Sequence, residues 1–288
     1  MALSSTTTFS GSLYRLAAFT DQPMGGNPAG VWIGERLPDP QDMQQIAAHV
    51  GYSETAFLAP VSEREYLLRY YSPEIEVAFC GHATIASGVL LGKLFGEDAY
   101  RLNTSVGQVF ISVTNNDGKF TAALTSVDPR YEPASPDLVA AALACFGWSV
   151  ADLDPAIPPA SAYAGTWHLV LALAEHPCLA SMKYDFNLLK KIMESENLMT
   201  LQLIWRERED LFHARNPFPV GGVVEDPVTG AAAAALGGYL RESGLCAPPF
   251  DFTVLQGSEM GRPGRLGVHV PESGGIVVSG NAVFLPSN

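Results

Sequence analysis

Cys80-Gly81-His82-Ala83-Thr84-Ile85-Ala86-Ser87-Gly88 and Thr229-Gly230-Ala231-Ala232-Ala233-Ala234-Ala235-Leu236-Gly237 are two stretches of one kind. Ala, Gly and Ser dominate both, so each predicts a helix with no large side chain to hold neighbouring strands away. Gly81 and Gly230 stand 149 positions apart in a chain of 288 residues, about half its length. That spacing predicts a duplicated domain with one small-residue helix at the centre of each half. The first turn of a helix leaves backbone N–H groups unbonded, and its dipole favours negative charge. Two such starts pointing at one cleft would make a site for a carboxylate or another anion.

Outward from these helices, strand-like runs alternate with short helices. Ser12–Phe19, Ala29–Ile33, Thr55–Ala59 and Tyr66–Tyr71 read as strands, and Val109–Thr114 with Phe120–Thr125 as a hairpin. Pro40–Val50 reads as a helix, because Met43, Ile46, Ala47 and Val50 share one face and Gly51 supplies the stop. The later half repeats the pattern. Ser135 caps a helix with Pro136 in its first turn, and Asn187–Ser195 is a second helix. Trp167–Ala174, Thr200–Trp205 and Leu211–Ala214 are strands, and the chain from Phe252 onward is rich in β-structure. The proline-rich Ser126–Pro136 segment is the natural boundary. Residues 1–12 are expected to be a loose tail, 13–127 the first domain and 128–280 the second, with about 281–288 returning to the first.

Composition narrows the function. Hydrophobic residues make up 47% and charged residues 16%, which fits a folded globule. A net charge of −13, with Lys190-Lys191 as the adjacent basic pair, argues against a nucleic-acid or anionic-membrane partner. No apolar stretch approaches the roughly 20 residues of a membrane helix, and the first residues do not read as a signal peptide. Cys80, Cys145, Cys178 and Cys246 lie far apart without metal-ligand spacing, so a reduced, cytoplasmic setting and no metal site are expected.

No nucleophile elbow, zinc-protease or nucleotide-loop motif occurs, so no cofactor is expected and the chemistry should come from ordinary side chains. The candidates for proton transfer are Glu54 in Tyr52-Ser53-Glu54-Thr55, His82 at the start of the first small-residue helix, and Asp226 just before the second. Taken singly, each has an ordinary structural reading: a turn carboxylate, a first-turn helix residue, and an N-cap or Asp-Pro turn.

Four strings in order change that balance: Gly26-Asn27-Pro28-Ala29-Gly30-Val31, Ser53-Glu54-Thr55-Ala56-Phe57, Phe79-Cys80-Gly81-His82-Ala83-Thr84-Ile85-Ala86 and Glu225-Asp226-Pro227-Val228-Thr229-Gly230. With Ser72-Pro73-Glu74-Ile75-Glu76-Val77 and Gln256-Gly257-Ser258-Glu259-Met260-Gly261-Arg262-Pro263, the chain resembles the PhzF-like phenazine-biosynthesis family from about Tyr14 onward. The resemblance implies an α/β (α+β) fold of the diaminopimelate epimerase type. In it, two similar domains each wrap a barrel-like mixed sheet round a central helix, with the active site in the interdomain cleft. It also implies a homodimer that needs no cofactor.

By the same resemblance Glu54 is the general acid/base of an isomerase, with His82 and Asp226 as further catalytic residues. Asn27, Ser53, Gly81, Gly230 and Ala231 are then the substrate-binding positions for a small carboxylic acid. A carboxylate becomes an effective base when apolar surroundings desolvate it, and Tyr52, Phe57 and Phe79 are the expected neighbours. Two positions depart from the family pattern, Ala231 and Gly264, where serines are usual. Those departures favour a substrate other than the phenazine precursor. Relatives of the epimerase type use a thiol before each central helix. Cys80 matches one, but Thr229 stands in the other region without a thiol. A two-thiol mechanism is therefore disfavoured. The alternative enzyme reading is an amino-acid epimerase or racemase of the diaminopimelate epimerase type working through Glu54 alone or with Cys80, and a non-catalytic carboxylate-binding protein is the alternative outside catalysis.

Overall fold

A computed structural model describes residues 10–286. The chain divides into two compact units, the first from residues 10–18, 28–122 and 281–286, the second from 19–27 and 123–280. The division thus falls a few residues before the proline-rich segment, and the loop 19–27 belongs to the second unit. Most of the tail, residues 1–9, lies outside the described residues, whereas Gly11 and Ser12 already form part of the first strand.

The first unit contains β1 (Gly11–Ala18), β2 (Asn27–Gly34), α1 (Pro40–Val50), β3 (Glu54–Ser62), β4 (Glu65–Tyr71) and β5 (Glu76–Val77). These are followed by α2 (Gly81–Phe95), β6 (Asp98–Thr104), β7 (Gly107–Asn116) and β8 (Lys119–Thr125). β2 runs parallel to β3, β3 antiparallel to β4, β4 parallel to β6, and β6 antiparallel to β7. β1 pairs with β2, and β7 with β8. The ring is closed by the last strand of the chain, whose Ala282–Phe284 stretch pairs antiparallel with Leu16–Ala18. Beside it, Thr121 Oγ1 donates to Asn281 Oδ1 at 2.6 Å.

α2 fills this eight-stranded barrel. Every residue from His82 to Gly92 is buried, as a helix surrounded by strands must be. Its small residues are a steric requirement. A methyl group at Gly88 would overlap Ile111 and Ala122, and one at Gly92 would overlap Val113 and Phe120. α1 covers the outer face of the barrel, where Met43 and Ala47 pack with Trp32, Phe57 and Tyr71.

The second unit repeats the plan with β9 (Arg130–Pro133), α3 (Pro136–Phe146), β10 (Ala160–Tyr163), β11 (Trp167–Leu173), α4 (His176–Ala180) and α5 (Phe186–Ser195). There follow β12 (Leu198–Arg208), β13 (Leu211–Pro217), β14 (Glu225–Asp226), α6 (Gly230–Glu242), β15 (Phe250–Gln256), β16 (Gly264–Val270) and β17 (Val277–Phe284). β11 is parallel to β12, β12 antiparallel to β13, β13 parallel to β15, and β15 antiparallel to β16. That succession is the one found from β2 to β7. α6 takes the place of α2, buried from Ala232 to Leu240, and Gly238 lies so close to Pro129 that a side chain would collide. On the outer face, Leu169, Leu171, Leu201 and Leu203 pack against Leu138, Leu143, Leu189 and Met193 of α3 and α5. Burial on both faces goes with the predominance of apolar residues in β11 and in the first part of β12.

Candidate active site

The candidate residues fall into two groups, one in each unit. Glu54 opens β3 immediately after the turn that ends α1. That turn needs Gly51, whose φ of 72° lies in the left-handed region that a side chain disfavours. Side chains alternate along a strand. Phe57 faces the α1 cluster, so Glu54 lies on the opposite face. Phe57 is therefore not a neighbour of the carboxylate, contrary to the expectation, because the two residues differ in parity along β3. Phe79 is 39% exposed and meets Tyr70 edge-on.

What adjoins Glu54 is the start of α2. Cys80 is the N-cap residue of that helix, and its thiol donates to Glu54 Oε2 at 3.5 Å. His82 Nε2 lies 3.4 Å from the same carboxylate oxygen and 3.4 Å from Ser53 Oγ, and His82 Nδ1 lies 3.3 Å from Cys80 Sγ. Cys80 and His82 are buried, and the Glu54 side chain is 23% exposed. A carboxylate, a thiol and an imidazole thus share one partly enclosed corner.

The corner is braced from below. Thr84 Oγ1 donates to the Cys80 carbonyl at 2.6 Å and therefore accepts, at 2.6 Å, the proton of the Tyr70 hydroxyl. Complete burial pushes the Tyr70 phenol far above its ordinary value, so it remains a neutral donor. No side chain caps α2. The first-turn amides at Gly81 and His82 are accordingly available to an anion. By contrast, α3 and α5 are capped by Ser135 and Asp185.

In the second unit Asp226 sits on β14, four residues before α6, and the N-cap residue is Thr229. Asn27 Nδ2 donates to Asp226 Oδ1 at 2.9 Å, and Thr229 Oγ1 donates to Oδ2 at 2.6 Å. Gln256 ties the same turn together. Its amide nitrogen donates to the Asp226 carbonyl and to Thr229 Oγ1, and its oxygen accepts from the Thr229 amide. Arg262 donates to the carbonyls of Gly25 and Gly26, both at 2.8 Å, which fixes the loop that carries Asn27. α6 also starts without a side-chain cap, on Gly230 and Ala231.

Sequence reasoning named Glu54, Ser53, Cys80 and His82, which the fold brings together, and Asn27, Asp226, Gly230 and Ala231, which it gathers separately. It missed Gln256, Arg262, Tyr70 and Thr84. The first two lie in a string already noted as shared with a family, and that string was the available signal. Nothing in the sequence links Tyr70 to Thr84, since a strand and a helix separated by a turn must fold before they meet.

The sequence profile of the phenazine biosynthesis-like protein family matches residues 16–287. The chain belongs to that family. It is 30% identical over 278 residues to the uncharacterized isomerase YfhB of Bacillus subtilis, covering 93% of this chain and 94% of that one. It is 31% identical over 291 residues to the uncharacterized isomerase YddE of Escherichia coli, covering 95% and 96%. Among solved structures, a PhzF-family phenazine biosynthesis protein of Bacillus anthracis superposes with a TM-score of 0.82 at 26% identity, covering 96% and 97%. With these relatives, the chain is an enzyme of the isomerase class.

Proposed function

We propose that the protein is a cofactor-independent isomerase that moves a proton on a small carboxylic acid, with Glu54 as the acid/base. The observation that carries this reading is the placement of the Glu54 carboxylate against Cys80 and His82 at the uncapped start of a buried helix. A carboxylate held there can accept a proton from one substrate carbon while the C–H electrons pass into an adjacent π-system. It can then return that proton to a different carbon, leaving itself unchanged. His82, within 3.4 Å of Glu54, orients the carboxylate and shares its proton. The amides at Gly81 and His82 are suited to hold the substrate carboxylate and the charge that develops, and those at Gly230 and Ala231 offer the same kind of anion site in the second unit. Asp226 and Asn27 hold each other and place polar groups beside the start of α6.

Support for a small acid as substrate is chemical: two uncapped helix starts favour an anion without a basic cluster. Ala231 supplies a methyl group where the resemblance expects a hydroxyl, which favours a substrate different from the phenazine precursor. Homodimerisation rests on the family resemblance, and a cytoplasmic location on the four scattered free cysteines. No helix among the described residues is long and apolar enough to cross a membrane.

Cys80 favours one further reading, an epimerase in which the adjoining carboxylate and thiol remove and return the proton at a single carbon. One experiment separates the two readings. The protein is incubated in heavy water with panels of cyclic and amino carboxylic acids, and products are read by mass spectrometry and chiral separation. Deuterium in a constitutional isomer supports the proposal, deuterium in a stereoisomer supports the epimerase, and binding without any exchange overturns both.

A further inference from the structure

Glu54, Cys80 and His82 present a carboxylate oxygen, a sulfur and an imidazole nitrogen that all lie within 4.8 Å of one another. The triangle has edges of 3.5 Å from Cys80 Sγ to Glu54 Oε2, 3.4 Å from Oε2 to His82 Nε2, and 3.8 Å from Sγ to Nε2. A tetrahedral zinc ion has bonds of about 2.3 Å to sulfur and about 2.0–2.1 Å to nitrogen and oxygen, which sets its donors about 3.3–3.6 Å apart. The protein already holds the three atoms within a few tenths of an ångström of that spacing.

We propose that Glu54, Cys80 and His82 form a binding site for one zinc-class divalent cation, with a fourth position open. The donor set of one sulfur, one nitrogen and one oxygen suits zinc or cobalt and discriminates against magnesium and calcium, which take oxygen ligands. On binding, the Cys80 thiol releases its proton to solvent, and thiolate and carboxylate together neutralise the two positive charges of the ion. That neutralisation offsets the unfavourable sign of the α2 dipole at this end of the helix. Little rearrangement is needed. The Cys80 backbone is already held by Thr84 and Tyr70, and His82 belongs to the first turn of a buried helix. The spacing of the three residues in the chain gives no hint of this, because the site is assembled from a strand start and a helix start.

The consequence is reversible inhibition: the ion occupies the lone pairs that Glu54 needs for proton transfer. That consequence rests on the proposed function, whereas the binding itself does not.

The test is a titration of the metal-free, full-length protein with cobalt(II), followed by absorbance. One ion per chain is expected, with a sulfur-to-cobalt charge-transfer band in the near ultraviolet and the strong visible bands of four-coordinate cobalt, all lost on adding zinc. Cys80→Ser should abolish the charge-transfer band, and Cys178→Ser should leave it unchanged. His82→Gln should weaken zinc binding by about 10–100-fold or more, since even loss of a group supporting a ligand costs about that much. Circular dichroism confirms that each variant is folded. A folded wild-type protein without the band, or a band that survives Cys80→Ser, overturns the site. Zinc bound there without effect on turnover would uphold the site and overturn the role of Glu54. Absence of binding, with turnover abolished by Glu54→Gln, would do the reverse.

Discussion

The starts of α2 and α6 occupy the same place in two barrels of the same strand order, yet their surroundings differ in kind. In the first barrel the neighbours are Glu54, Cys80 and His82. In the second, the positions matching Cys80 and His82 at the same distance from the helix-opening glycine are Thr229 and Ala231. Ala29 pairs with Glu54 across β2 and β3, and His168 pairs with Thr200 across β11 and β12. Counting along the strands from the β4–β5 and β13–β14 pairs puts Thr200 where Glu54 stands. The two units therefore share the scaffold, while reactive side chains gather at one helix start and hydroxyl and methyl groups stand at the other.

The ion pairs beside the two helices show the same divergence. Arg69 grips Glu76 with two hydrogen bonds at the surface, and Arg215 grips Glu225 in the same way inside the second unit. Glu76 and Glu225 each stand five residues before the helix-opening glycine. Arg215 also donates to the Ala180 carbonyl, and both members of its pair are buried. One pair is a solvated clasp, the other part of the interior.

The sharpest way to break this comparison is Glu54→Gln against Thr200→Ala. The first should lower turnover by about 10²–10⁴-fold with the melting temperature nearly unchanged. The second should leave the chemical step intact, as steady-state kinetics on a substrate from the exchange screen would show. Equal losses would mean that the two starts share the chemistry.

Next comes stability. Glu225→Gln leaves Arg215 buried without its counter-ion and should cost about 3–5 kcal/mol in urea unfolding. Glu76→Gln breaks a solvent-screened pair and should cost below about 1 kcal/mol. Similar losses would refute the contrast drawn between the clasps.

A third contrast is in pH. His168 is fully buried, hydrogen-bonded to Thr166 and Thr200, and burial lowers its pKa to about 3. Its depressed value means that the unfolded chain takes up a proton below about 6.5 while the folded protein does not. The stability it allows is complete above pH 6.5 and falls as the pH drops from there toward 3. Between pH 6.5 and 4.5 the loss should reach about 2–3 kcal/mol, at up to 1.4 kcal/mol per pH unit. His168→Gln should flatten that part of the stability profile relative to the wild type, measured by urea unfolding at each pH. Ala29, at the matching place in the first barrel, contributes no such slope.

The smallest effect is expected from Ala231→Ser. It should shift preference among substrates several-fold while changing stability by less than about 0.5 kcal/mol, as for a substitution away from packing and buried networks. An unchanged preference would count against the start of α6 as a binding element.

Much of this architecture was legible before folding was considered. The two small-residue runs marked both central helices, and α1 follows its apolar periodicity from Pro40 to Val50. Short strands escaped notice for a physical reason. In β6, Asp98–Thr104, Tyr100 and Leu102 alone are buried, and β9 and β10 have four residues each, too few to show a period. The cluster at Glu54 was legible as separate strings. Its geometry was not, because the contact of a thiol, an imidazole and a carboxylate depends on the register between β3 and α2. In its ordinary reading Asp226 is an N-cap or part of an Asp-Pro turn, whereas Thr229 is the N-cap residue and both carboxylate oxygens of Asp226 accept side-chain hydrogen bonds.

The closing of the first barrel by Ala282–Phe284 has a temporal meaning. A nascent chain that has already produced Glu54, Cys80 and His82 still lacks the stave that joins the two free edges of that barrel. The first barrel therefore cannot close until residues 282–284 have been made, after the strands of the second unit.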